Sequence, residues 1–184
     1  MLLSSISFPV GTGVHTNPWS KDLFRVLGAS ILISLSSYIS IPLYFTPVPL
    51  VIQSHVILLI AAILGSKRAF LATLAFLIQG SFGLPVFSSG NSGLLYMMGP
   101  TGGYLIGYLV AAFATGYIFE RMKERTAIKT LASFAMGNLI IYILGAAWLS
   151  SYIGLKPSVC LGILPFLLGD TIKNLFISRA LKSF

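Results

Sequence analysis

Long apolar stretches alternate with short polar breaks along this chain of 184 residues. A hydrocarbon core about 30 Å thick takes roughly twenty helical residues to cross. The pattern predicts spans near 23–41, 48–64, 68–86, 101–119, 128–149 and 160–181. The expected fold class is all-α: one integral-membrane domain over residues 1–184, a bundle of six transmembrane helices. Lys67 and Arg68 cut the second and third spans into short pieces, and Gly83 and Pro85 interrupt the end of the third. A re-entrant hairpin is the alternative for that pair.

Charge gives the bundle a direction. Ten of the twelve Lys and Arg residues fall in four clusters: Lys21 with Arg25, Lys67 with Arg68, the group Arg121, Lys123, Arg125 and Lys129, and Arg179 with Lys182. With six crossings all four clusters lie on one face, and the connections of the other face hold only Lys156. Positive residues stay on the cytoplasmic side, so both termini are expected in the cytoplasm. The expected location is a membrane, crossed several times. Composition agrees, because 56% hydrophobic and 9% charged residues leave too little polar surface for a soluble globule. The net charge of +8 is then lipid-flanking charge, and no nucleic-acid partner is expected. Cys160 is the only cysteine, which excludes an internal disulfide and a multi-cysteine zinc site. The first twenty residues lack a basic start followed by a long apolar core, so no cleaved secretory signal is expected.

The connections opposite the basic clusters are rich in Pro, Gly and aromatic residues. Pro42, Pro47 and Pro49 resist helix and favour a stiff, extended segment. Between spans three and four, Gly83, Gly90, Gly93, Gly99, Gly102 and Gly103 give a backbone able to adopt positive φ and approach a ligand, with Gly90, Gly93 and Gly99 as a lid. A packed turn without a ligand is the other reading, and the recurrence of Gly99, Gly103 and Gly107 every four residues is what close helix contact predicts.

Asp22, Glu120 and Glu124 belong to the basic margin, which leaves Asp170 as the acid inside a span. An Asp or Lys at the centre of a spanning helix costs about 2.5 to 3.5 kcal/mol on insertion scales. Asp170 and Lys173 therefore need compensation, and with Asn174 they form one polar strip on a helix. A structural ion pair, with Lys173 snorkelling toward the interface, is one reading; a ligand site is the stronger one, because the glycine loop faces that half of the membrane. The polar inventory suits a small ligand with N–H donors, an apolar body and a carboxylate tail. Asp170 would take the N–H groups, Lys173 the carboxylate, and Asn91 would donate to a carbonyl. Tyr96, Tyr44 and Phe45 are candidates to cover the apolar body, against the alternative of interfacial anchoring. Gln53 and His55 begin span two, and Gln53 joins the candidate ligand residues. The histidine has no second ligand at metal spacing, so neither a metal nor a cofactor is expected. Phosphate-binding loops, zinc-binding His-Glu pairs and nucleophile elbows are missing, and no catalytic residue is expected. Two equivalent halves are also missing, so energised uptake would need partners.

Four groups of residues stand out: Pro47-Val48-Pro49 with Gln53, the run Gly83-Leu84-Pro85-Val86-Phe87, Gly99 to Tyr104 with Gly107, and Gly169-Asp170 with Lys173. Together they resemble the BioY family, the biotin-binding S components of energy-coupling factor (ECF) transporters. The resemblance runs from span one to span six and is most specific between Gly83 and Gly107. It implies a six-helix subunit with a biotin pocket beneath the first and third loops. Asp170 and Asn91 would hydrogen-bond the ureido ring of biotin, and Lys173 would bind its valerate carboxylate. It also implies a coupling (T) protein in the membrane and two ATP-binding cassette ATPases. Docking onto the T protein would use small residues of span one, and Ser30 and Ser34 offer that spacing; packing within the subunit is the other reading of these two. The sequence departs from the family pattern at Leu43 to Thr46 and at Ser54-His55, which places the first-loop contacts in question.

The function expected is thus biotin uptake by a binding subunit without enzymatic activity. A related S component tuned to another vitamin or amide-containing acid is the alternative. An intramembrane enzyme using Asp170 as base is disfavoured, because a carboxylate already paired with an ammonium is a poor base.

Overall fold

The structure, a computed structural model, describes residues 18–180. These form eight α-helices and one short antiparallel ladder. Helix α1 (Pro18–Ser36) ends where three serines turn their hydroxyls back on helix carbonyls: Ser34 Oγ to Ser30 O at 2.9 Å, Ser36 Oγ to Ile33 O and Ser37 Oγ to Ser34 O, both at 2.7 Å. Strands β1 (Ser40–Ile41) and β2 (Leu50–Val51) then pair, Ser40 with Val51 and Ile41 with Leu50. The proline-rich segment is the loop between them.

The fold is mostly helical, as expected, and the ladder corrects two of the expected boundaries. Span one was expected to reach residue 41 and span two to start at 48. Prolines without an N–H cannot donate to a helix, and helix α2 (Gln53–Leu64) starts only past Pro49. Helix α3 (Ser66–Ser81) follows across Gly65. After Gly83, at φ +95°, the chain forms a 3₁₀ turn at Ser88–Gly90 and the short helix α4 (Leu94–Met98). Helices α5 (Gly102–Arg121) and α6 (Ala127–Ile153) pack closely, because a Cβ at Gly103 would collide with Trp148 and Leu144. The last expected span, 160–181, is broken. Helix α7 (Leu155–Gly162) stops at Ile163, whose φ/ψ of −123°/−56° is not helical, and α8 (Leu164–Ala180) restarts with Pro165 in its first turn. Residues beyond 180, Lys182 among them, lie outside the described part.

Among the described residues, three stretches are long and apolar enough to cross a membrane: α5, α6 and the α7–α8 run over Leu155–Leu175. Helix α2 is apolar but only 12 residues long, about 18 Å at 1.5 Å per residue. The molecule has two chemically distinct ends. At one end Asp22 binds Arg25 and Arg68, tying α1 to α3, and Glu120 of α5 accepts from Ser66 N at 2.7 Å. At the other end Trp148 Nε1 donates to Gly99 O at 3.0 Å, Tyr38 OH to Pro85 O at 2.6 Å and Thr46 Oγ1 to Leu161 O at 2.9 Å. The loops there are stapled to the helix ends. The outward apolar face of α1, including Trp19, Phe24, Leu27 and Ile31, is exposed, as a surface solvated by lipid would be. Cys160 is exposed as well.

Candidate functional site

Helix α8 turns Asp170 and Asn174 into the bundle and leaves Thr171 and Ile172 facing out, so the expected polar strip exists. Asp170 is 7% exposed and has partners from three helices. Lys173 Nζ lies 3.2 Å from Oδ1 within α8, Tyr142 OH of α6 donates to Oδ2, and His55 Nε2 of α2 lies 3.8 Å from Oδ1. A carboxylate offers about four lone-pair positions, so two hydrogen bonds leave acceptor capacity. Nothing in this arrangement resembles a metal centre: no group of three or more His, Cys, Asp or Glu is found among the described residues.

Three adjoining spaces lead toward Asp170 from the loop end. The outer cleft, about 460 Å³, lies between the proline loop (Pro42, Leu43, Thr46, Pro47, Pro49) and the glycine loop (Ser88, Asn91, Tyr96, Thr101). A middle space shares Pro49, Ser88, Tyr96 and Thr101 with it and adds Gln53, Tyr104 and Tyr108. An inner space shares Pro49, Tyr104 and Tyr108 with the middle one and ends on Asn138, Tyr142, Phe166 and Asp170. The inner and middle spaces measure only about 30 and 20 Å³, room for a water or two. The outer cleft alone falls in the size range of small-molecule sites, although the largest space is not the one holding Asp170. Occupying the inner space requires movement of its walls.

The expected residues divide accordingly. Asp170 reaches the inner space, Gln53 the middle one, Tyr96 the middle space and the cleft, and Asn91 the outer cleft. Gln53 is also structural, its Nε2 donating to Ile33 O at 3.1 Å. Asn91 Nδ2 donates to Ser88 O at 2.7 Å, which leaves its second N–H and its Oδ1 for a ligand. Tyr96 stacks on Phe87 at 5.4 Å, and burial pushes its phenol above the ordinary value. Lys173, its side chain 27% exposed, lines none of the three spaces and is turned to Asp170. Asn174 is buried beside Asp170 with Oδ1 unpartnered.

Three expectations need correction. Tyr44 and Phe45 are exposed and line none of the three spaces, because the loop between β1 and β2 turns Leu43, Thr46 and Pro49 inward instead. Ser30 and Ser34 are buried, Ser34 Oγ lying 3.5 Å from Gln79 Oε1 of α3, so they pack α1 within the chain and offer no outward docking face. Of the lid glycines, Gly90 (φ +77°) and Gly93 (φ +90°) hold the left-handed conformations expected, whereas Gly99 is extended. The sequence reading missed Asn138, Tyr142, Tyr104 and Tyr108. A lone amide within an expected span was the available signal for Asn138, and for Tyr104 it was its place at the end of the Gly99–Tyr104 motif; Tyr108 and Tyr142 carried none beyond a polar tip in an apolar helix.

The fold and the site define a class first: a membrane protein with a small polar centre, reached from one end and ringed by aromatic residues. The family follows from comparison. The BioY family model matches residues 8–183, and the chain belongs to the BioY family. A biotin transporter BioY of Thermotoga maritima is 38% identical over 154 residues, 83% of this chain and 89% of that protein. A probable biotin transporter BioY of Pyrococcus horikoshii is 37% identical over 154 residues, covering 84% and 90%. The crystal structure of the S-component for biotin from an ECF-type ABC transporter superposes with a TM-score of 0.82 at 30% identity, covering 93% of this chain and 95% of that one. The chain has the fold of an S component.

Proposed function

We propose that this chain is the biotin-binding S component of an ECF transporter: a transport subunit, not an enzyme. Membership of the BioY family supports the substrate class, and the line of spaces from the outer cleft to Asp170 is the observation that carries the site. In this reading the chain is a single integral-membrane domain of six spans in the cytoplasmic membrane, α7 and α8 together forming the sixth. The end bearing Arg25, Arg68 and Arg121 faces the cytoplasm and the cleft faces outward.

Biotin enters between the proline and glycine loops. Its apolar bicycle meets Tyr96, Tyr104 and Tyr108, Asp170 accepts ring N–H groups through its free lone pairs, and Asn91 serves the ligand from the loop. Lys173 has three N–H donors and gives one to Asp170, so it can turn to the valerate carboxylate when the ligand is present. Energy comes from a coupling membrane protein and two ATPases, since this chain holds no nucleotide-binding motif.

Asp170→Asn tests the reading. It keeps the shape of the side chain but replaces one acceptor oxygen by a donor, and it removes the charge. The expected result is a loss of biotin affinity of roughly ten- to a hundred-fold, the value of one hydrogen bond to a charged group, in a protein that still folds. Unchanged affinity places the ligand elsewhere, and tight binding of a different vitamin by the wild type replaces biotin as the substrate.

A further inference from the structure

Among the described residues, several buried side-chain atoms have no hydrogen-bond partner: Ser30 Oγ, His55 Nε2, Ser88 Oγ, Thr115 Oγ1, Asn174 Oδ1 and both amide atoms of Asn138. Asn138 differs from the rest because its donor and its acceptor are both idle while the residue is only 4% exposed. Buried amides in native proteins are nearly always bonded, and an exception calls for a missing partner. Asn138 lines the inner space together with Asp170, and so do Ile141 and Tyr142, three and four residues further along the same face of α6. Since Tyr142 holds Asp170, Asn138 lies one turn deeper from the cleft, at the floor of the site.

We infer that Asn138 is a specificity-determining ligand contact that reads a carbonyl and an adjacent N–H, with Nδ2 donating and Oδ1 accepting. The inference rests on the biotin reading and deepens it: the matching group is the ureido edge, with Asp170 of α8 taking the other ring N–H. The carboxylate tail does not fit here, because two acceptor oxygens would leave Oδ1 facing another acceptor. Asn91, which lines the outer cleft and not the inner space that Asp170 reaches, is the weaker candidate for the carbonyl. A residue kept only for packing would have its amide tied to a neighbouring carbonyl, as Gln53 is tied to Ile33.

The test uses the purified, ligand-stripped chain with biotin and with 2-iminobiotin, in which an imine N–H replaces the ring carbonyl. Two variants are compared with the wild type. Asn138→Leu removes both polar atoms at similar volume. It is expected to lose biotin affinity at least roughly ten-fold, while its thermal midpoint without ligand is equal to or above that of the wild type. Asn138→Asp presents acceptors only and is expected to shift preference from biotin toward 2-iminobiotin. The inference is overturned if Asn138→Leu binds biotin within about two-fold of the wild type, or if it loses stability without ligand, the mark of a structural amide. If the wild type binds no biotin, the biotin reading falls instead, and the ligand-free midpoints still decide whether this amide idles without a ligand.

Discussion

Lys173 and Asp170 pair within α8, and the same two residues are proposed to part when biotin arrives. The exchange makes a prediction at the scale of one side chain. Lys173→Ala should weaken biotin far more than biotin methyl ester, which lacks the anionic tail; side-by-side titrations measure the two losses, and equal losses contradict the carboxylate contact. A second expectation accompanies it. With its cation removed, Asp170 keeps Tyr142 as donor and His55 at 3.8 Å, so the variant should fold with a lower thermal midpoint. Asp170, Lys173 and Asn174 were legible in the sequence because charge inside an apolar helix is expensive and must be explained. Tyr44 and Phe45 were misread because loop residues carry no periodicity from which their direction can be taken. Asn138 and Tyr142 went unnoticed for another reason: a neutral polar group raises little alarm in sequence, and only packing reveals whether it has a partner.

Helix identity was easier to read than helix ends. Apolar runs placed α5 and α6 nearly where they lie, at Gly102–Arg121 and Ala127–Ile153. Where the chain had to choose between helix and extended backbone, proline chemistry won, and a short ladder replaced the expected ends of two spans. The break between α7 and α8 left no mark that apolar periodicity alone could detect. The glycine spacing, by contrast, did forecast close contact: Gly103 faces Trp148 and Leu144, and Gly107 faces the backbone of Ile141. Gly103→Ala should therefore force α5 and α6 apart. Overpacking of this kind costs about 1 to 3 kcal/mol, which a melting experiment in detergent would register as a lower midpoint with ligand or without. An unchanged midpoint would mean that the two helices separate freely at this crossing.

The whole molecule is polarised. Arg25, Arg68 and two acidic anchors, Asp22 and Glu120, lie at one end, and the proline and glycine loops lie at the other. Sequence charge forecast this arrangement directly, since lipid permits few other places for the basic residues. In a Cys160→Ser background, cysteines introduced at Lys123 and Leu95 should label from opposite sides of the membrane, Leu95→Cys from outside and Lys123→Cys only after the membrane is made permeable. Labelling of both from the same side would undo the orientation. The central claim, that a chain of this fold holds biotin at the centre beneath its loops, is tested most directly by calorimetric titration of the purified, ligand-stripped protein in detergent with biotin, its methyl ester and an unrelated vitamin. Tight one-site binding of biotin is expected, with weaker binding of the ester and no heat from the other vitamin; no heat from biotin with a protein shown to be folded would overturn the biotin site.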